Sequence, residues 1–488
     1  MGVRGAGRRD REALVDVSKV GLSLALAAAL LVQVCFLPAV VAAQTDSDAR
    51  FTIAVIPDTQ NMVDFRFQRG QKLRGFGEFP FNASDQFLSM LQYIADNSVS
   101  NGGDIVFATS VGDIWQRQSF LMDEGHAERG FDYTRFSPIA LSGEVGYGPE
   151  TLEFEIPMAI SGYQRLAQAK LPFAVVPGNH DFDAMWTDDR YPGSLFKALF
   201  SDSVDTSDPA VIGALHAGGL DNFRFAFGSN SDFFRDKSWY VSSHGGGTSS
   251  AQLFSGGGYE FLHIALEMSP PDEAINWARQ VLSRYPGYPT IVTTHDYLNQ
   301  DGERVANPII DLAALDPDQH NSAQQLFEKL IFPNDQIFLV LCGHQHGQAV
   351  RFDSNAKGYE VIQVLADYQD RGQSLLDVDP DIRGIADRLI GIGDGWLRLM
   401  QFDFSAEVPE VLVRTYSSHY GGFSVDFESY ASWYKAQEKP GVSDAEFMTA
   451  DQFSLKLSDF RERFGPIATA GGTVAEAGRA DASAEPSQ

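Results

Sequence analysis

The chain has 488 residues, 44% of them hydrophobic, and its 37 Lys/Arg stand against 65 Asp/Glu for a formal net charge of −28. That length and composition suit one large domain or two to three smaller ones, with a substantial buried core. The negative surface sets the protein against nucleic acid as a bulk polyanion, so no nucleic-acid partner is expected.

Residues 1–43 read as a signal peptide. Arg4, Arg8, Arg9, Arg11 and Lys19 precede an apolar run over 20–43 that closes on the small residues Val41-Ala42-Ala43. The run is also long enough to span a bilayer, so an uncleaved anchor is the alternative. Asp10-Arg11 do not suit twin-arginine export, and Gln33-Val34 before Cys35 do not suit lipid attachment. Cleavage implies a secreted, periplasmic or cell-surface protein without stable membrane association. It removes five Lys/Arg and three Asp/Glu, so that 32 basic and 62 acidic residues remain, a net charge of −30. Only Cys342 is then left, which excludes an internal disulfide; at the end of an apolar run it reads as a buried, inert thiol.

Short runs rich in Val, Ile and Phe, apolar on both sides, lie at 51–56, 105–111, 173–176, 261–266, 290–294 and 337–341. They read as strands covered on both faces. Helical periodicity falls between them: over 84–95 with Ser84 as the cap, over 271–281 opened by Pro271-Asp272-Glu273, and over 321–330. Strands alternating with helices predict an α/β architecture. Three later runs, 361–365, 396–404 and 411–416, have no helix between them and are expected to pair antiparallel. Stretches near 116–157 and 184–258 read as insertions, 424–470 as a C-terminal extension, and the aromatic-free 471–488 as a disordered tail.

Five of the early runs end in residues that bind metals. They lead into Asp58-Thr59-Gln60, Gly112-Asp113, Gly178-Asn179-His180-Asp181, His295-Asp296 and Gly343-His344-Gln345-His346. Ligands in α/β sheets gather at the carboxyl ends of strands. A phosphoester resists attack because its oxygens are negative; two cations about 3.5–4 Å apart neutralise that charge and activate a water. Carboxylate, amide and imidazole donors suit such cations. His344 and His346, two apart, would share one face of an extended strand and could serve different ions. Arg117 beside the second motif reads as a solvated side chain.

The order of these motifs resembles that of the calcineurin-like metallophosphatases: D-x-H, GD, GNH[DE], a lone His after a strand, and GHxH. The resemblance covers roughly residues 50–420, within a domain set at 50–423. It implies a four-layer α/β/β/α sandwich with two mixed β-sheets. It implies two divalent metal ions (Mn, Fe or Zn), with Asp58 and His346 on the first, Asp113 bridging, and Asn179, His295 and His344 on the second. It further implies hydrolysis of a small-molecule phosphomonoester or phosphodiester by a metal-bridging hydroxide, with His180 as general acid steadied by Asp181. Gln60 stands where most members have His; as a neutral amide ligand it would loosen the first site or favour a harder ion such as Mn²⁺. The second motif continues Ile114-Trp115-Gln116, without the common Asp or Asn. The D-T-Q start, with Tyr368-Gln369 and Gly395-Trp396-Leu397-Arg398, resembles a secreted bacterial branch. The alternatives are a protein of the same fold that binds metal or phosphate without turnover, or one that serves as a surface scaffold.

Overall fold

A computed structural model describes residues 49–72, 77–118, 150–188, 214–307, 310–382 and 390–465. The segments read as signal peptide and tail lie outside these residues. The strands are β1 (Arg50–Ile56), β2 (Ile105–Ser110), β3 (Phe173–Val175), β4 (Ala184–Asp188), β5 (Ala214–Gly218), β6 (Tyr240–His244), β7 (Ser249–Gly256) and β8 (Tyr259–Ala265). They continue with β9 (Thr290–Asp296), β10 (Ile337–Gly343), β11 (Gly347–Ser354), β12 (Glu360–Asp367), β13 (Trp396–Asp403), β14 (Glu410–Ser417), β15 (Gly422–Phe423) and β16 (Gln452–Lys456). The helices that matter below are α1 (Ser84–Asp96), α2 (Ile156–Gln168), α3 (Asp272–Arg284), α4 (Tyr430–Glu438) and α5 (Asp444–Asp451).

Two large mixed sheets form. The first runs β15-β14-β13-β1-β2-β3, with β16 joining β14; the second runs β11-β12-β10-β9-β8-β7-β6. β1, β2 and β3 are parallel, and so are β8, β9, β10 and β12. The side-chain alternation of a strand sorts the core into layers. Ile53 and Val55 of β1, with Phe107 and Phe402, face the second sheet and cluster with its Phe261, Phe338 and Leu339. Ala54 and Ile56, the alternate residues, face α1 and α2 with Phe87, Leu91, Tyr163 and Leu166. On the far side, Leu262, Ile264, Val292 and Val340 pack on α3 through Ile275, Ala278 and Val281. The layers are therefore α/β/β/α. Each fully buried Phe between the sheets stabilises the fold by roughly 1.5–3 kcal/mol relative to exposure.

Cys342 is buried in the outer layer of the second sheet, and burial pushes its thiol up. His263, inside an apolar run, bonds Gln252 and Thr293 in the core, where burial pushes its imidazole down to about 3.

The structure corrects two of the local expectations. The 396–404 and 411–416 runs pair antiparallel as β13 and β14, but 361–365 lies in the other sheet, as β12 parallel to β10. The reason is β11, whose polar sequence hid it: it pairs antiparallel with β12, and Gly347 (φ 95°) begins it. Ser84 does not cap α1. It is the first helical residue, its hydroxyl donates to Gln68 Oε1 (2.7 Å), and Ala83 precedes it.

Candidate metal centre

The carboxyl ends of β1, β2 and β3 meet those of β9, β10 and β12 where the two sheets are stacked. Thr109 Oγ1 donates to Thr293 Oγ1 across the gap (3.1 Å), and His295 Nδ1 donates to the Val111 carbonyl (2.7 Å). A carbonyl only accepts, so Nδ1 carries a proton and Nε2 is the nitrogen that faces the site. That nitrogen lies 3.2 Å from Asp113 Oδ1 and 3.1 Å from Asn179 Oδ1. One ligand atom from each of Asp113, His295 and His344 fits within 4.8 Å of the others, and all three residues are buried.

The other ligands suggested by sequence approach the same point. Asp58 Oδ2 accepts the His344 N–H (2.9 Å), joining β1 to β10. Gln60 Nε2 lies 3.4 Å from Asp113 Oδ2, while the backbone N–H groups of Thr59 and Gln60 donate to the Asp113 carbonyl. The His180 N–H donates to Asp113 Oδ1 (2.9 Å), and its ring donates through Nδ1 to the Gln116 carbonyl (2.7 Å). His346 is tied in less directly: its N–H donates to Asp367 Oδ2 (3.0 Å) and its Nδ1 to Asp370 Oδ2 (2.5 Å). His344 and His346 do not lie on an extended strand. They occupy a bend after β10 with φ of 72° and 45°, and Asp113 has φ 49°. Such left-handed backbone costs of order 1–3 kcal/mol per residue and persists where the surroundings enforce it.

Asp181 also departs from the expectation. Its Oδ2 accepts the Gly178 N–H (2.8 Å) and its Oδ1 those of Ile114 (2.9 Å) and Trp115 (3.4 Å). It braces the β2 and β3 loops against each other, whereas the His180 ring is oriented by Gln116. Arg117, expected in solvent, is 6% exposed, lies over the Phe65 ring and sits 3.6 Å from Asp64. The loop it belongs to is held by Glu155, whose Oε2 accepts the N–H groups of Gln116 and Arg117 (3.0 Å each).

The donor atoms that find no protein partner fit a cation. Among the described residues, Asp58 Oδ1, Gln60 Oε1 and His344 Nε2 are buried without a hydrogen bond. A buried polar atom left unsatisfied costs about 1–3 kcal/mol. Burial, then the Asp367 carboxylate, push the Asp58 carboxyl well above its usual range. Burial works against a charged His295, yet Asp113 overrides it and raises the imidazole to about 10. Burial would likewise raise Asp113, but His295 and His180 hold its carboxyl well below the ordinary range. His346 goes up to about 9, burial being outweighed by Asp370. The site thus gathers acceptors and seeks positive charge, and its oxygen and imidazole donors are those that divalent ions use.

The glycines make room for this. A Cβ on Gly178 would fall 2.2 Å from Asp113 Oδ1 and 2.5 Å from His295 Nε2; one on Gly343 would fall 2.1 Å from Asp58 Oδ1. Gly178→Ala is therefore expected to lower cation content at least tenfold, with the melting temperature of the metal-free protein changed by only a few degrees. Elemental analysis beside a thermal melt checks it.

Reading the sequence missed Asp367 and Asp370, at and just after the end of β12, and gave no role in the site to Gln369, quoted above only as part of a branch motif, or to Asp296, whose Oδ1 accepts from Gln345 (2.7 Å). The signal was present: 361–366 is a further apolar run that ends in an acid, Asp367. A family model described as calcineurin-like phosphoesterase matches residues 51–348, more than half of the chain. The uncharacterized protein YvnB of Bacillus subtilis (strain 168) is 29% identical over 252 residues, which are 50% of this chain and 16% of that protein. The chain thus covers only a small part of that relative's length. With the matched region running from β1 through the ends of β2, β3, β9 and β10, Gly343-His344-Gln345-His346 included, the chain belongs to the calcineurin-like phosphoesterase family.

Proposed function

We propose that the protein hydrolyses small-molecule phosphoesters, monoesters or diesters, with a pair of divalent cations. The observation that carries this reading is the buried Asp113–His295–His344 group with Asn179 Oδ1 beside it, together with the buried, unpartnered His344 Nε2, Asp58 Oδ1 and Gln60 Oε1, the last two on side chains that hydrogen-bond to His344 and Asp113. Asp58, Gln60 and His346 would hold one cation, Asn179, His295 and His344 the other, and Asp113 both. When bound, such a pair neutralises the phosphate oxygens and lowers the pKa of a water. The chain's own part is orientation and proton transfer. Asn179 turns Oδ1 toward His295, which leaves its Nδ2 to donate to a phosphoryl oxygen. His180, fixed through Nδ1, keeps Nε2 free to take up a second proton and, as the imidazolium, pass it to the leaving oxygen. The net charge of −28 repels anionic substrates, so attraction must come from the cations locally.

The D-T-Q start and the leader support a secreted bacterial setting for this reading, with Mn²⁺ favoured where an amide replaces imidazole. The test is a panel of aryl and alkyl phosphomonoesters and phosphodiesters, with metal analysis of the purified protein. Chelation is expected to reduce turnover at least a hundredfold, and Mn²⁺, Fe²⁺ or Zn²⁺ to restore it. Cation uptake without turnover on any ester would instead indicate a binding or scaffold protein.

A further inference from the structure

We infer that Gln369 is a positioning residue which, held by Asp367, turns the carbonyl end of Gln60 toward the first cation. This rests on the two-cation reading above and deepens it. A histidine ligand has a nitrogen to offer once its other nitrogen is occupied, but a glutamine ligand has a particular difficulty. Its two ends are nearly alike in shape and opposite in polarity, and the wrong one presents an NH₂ group to a cation.

The residues at the end of β12 resolve that choice step by step. Asp367 is fully buried, and its carboxylate is fixed by the N–H of His346 to Oδ2 (3.0 Å) and of Gln369 to Oδ1 (3.0 Å). A carboxylate only accepts, so the Gln369 end facing Asp367 Oδ2, at 3.3 Å, is Nε2. Its Oε1 must then face the other way, where it accepts from Gln60 Nε2. Gln60 Nε2 also lies 3.4 Å from Asp113 Oδ2, a second acceptor. Both acceptors draw the NH₂ end, and Gln60 Oε1 is left buried with no hydrogen bond. That is the atom a cation would need.

The relay is itself anchored. Asn61, next to Gln60, donates through Nδ2 to the Gln369 carbonyl (3.2 Å). Two residues on, buried Arg371 grips Glu438 of α4 through Nε–Oε1 (2.6 Å) and Nη2–Oε2 (3.0 Å). The C-terminal helices therefore hold the loop whose amide orients a ligand on β1's loop, about 310 residues earlier in the chain. Asp370, in the same loop, does the corresponding service for His346. Outer contacts of this kind are worth about 10–100-fold in metal affinity.

The test titrates the chelated, full-length protein with Mn²⁺ by calorimetry and counts bound metal by elemental analysis. Gln369→Met keeps the size of the side chain and removes both hydrogen bonds. It is expected to weaken one of two Mn²⁺ ions about 10–100-fold and to leave the other within about threefold. A carboxylate has no wrong end, so Gln60→Glu should make the site indifferent to residue 369: adding Gln369→Met to Gln60→Glu should change affinity less than about threefold. Equal losses in both backgrounds would make Gln369 a structural residue and overturn the relay, as would a Gln369→Met protein that binds both ions like the wild type. Gln369→Leu repeats the cycle if the Met variant does not fold; failure of both to fold also overturns it. A wild-type protein that takes up fewer than two Mn²⁺ overturns the reading beneath, which this count separates from failure of the relay alone.

Discussion

Replacing Asp113 by Asn is expected to lower hydrolysis by about a thousandfold or more and to strip the protein of both cations. The carboxylate is positioned to serve both sides of the site. Its Oδ1 is 3.2 Å from His295 Nε2 and accepts the His180 N–H, while its Oδ2 faces Gln60. Asn removes the one charge these sides would share and turns an NH₂ toward either the His295 ring and the His180 N–H or the Gln60 NH₂. The stabilisation that metal charge gives a transition state is worth several kcal/mol, and each 1.4 kcal/mol is a factor of about ten in rate. Elemental analysis and steady-state kinetics on the same preparation decide the matter. An Asp113→Asn protein that retains two ions and wild-type turnover would remove the basis for a dinuclear reading. The metal-free melting temperature serves as control, because Asp113 also receives the backbone contacts that tie the β1, β2 and β3 loops together.

His180→Ala should cut turnover about 10²–10⁴-fold while metal content stays at the wild-type level. The His180 ring belongs to no ligand trio, and its fixed contact is Nδ1 to the Gln116 carbonyl, at 2.7 Å. The remaining nitrogen is available for a proton that travels to the leaving oxygen. Such a proton matters most when the departing group is a poor one. The loss should therefore be large for an alkyl phosphoester and small for a nitrophenyl ester, whose oxygen leaves as a stable anion. Equal losses on the two esters, or metal lost in step with activity, would show that His180 has a structural part only. Gln116 and Arg117 are held by Glu155, so the carbonyl that orients His180 depends on a residue of the segment just ahead of α2.

Much of this was readable in the chain because strand burial and ligand chemistry are local properties. β1, β2, β9 and β10 announce themselves by short apolar runs, and the ligand types follow each run directly: Asp58 and Gln60, Asp113, His295, His344 and His346. Other features were not local. β11 is polar enough to pass for a loop, and its hairpin with β12 sends 361–367 into the second sheet. That placement brings Asp367 close enough to Asp58 for their charges to interact, and it puts Gln369 against Gln60, which no periodicity foretells. Arg117 looked solvated because nothing near it in sequence announces the buried Asp64 and Glu155 that surround it.

By itself the sequence determined the alternation of covered strands and helices, the family pattern of motifs, and the residue types available for a cation. Only the tertiary structure decided which atoms of those residues keep a hydrogen-bond partner and which do not. Contacts such as Asp58 with His344, 286 positions apart, exist because two separately hydrogen-bonded sheets stack through a Phe-rich interface. The same stacking leaves Asp58 Oδ1, Gln60 Oε1 and His344 Nε2 buried and unpaired. Periodicity reports which face of a strand is apolar, but not which other strand's end will lie opposite it.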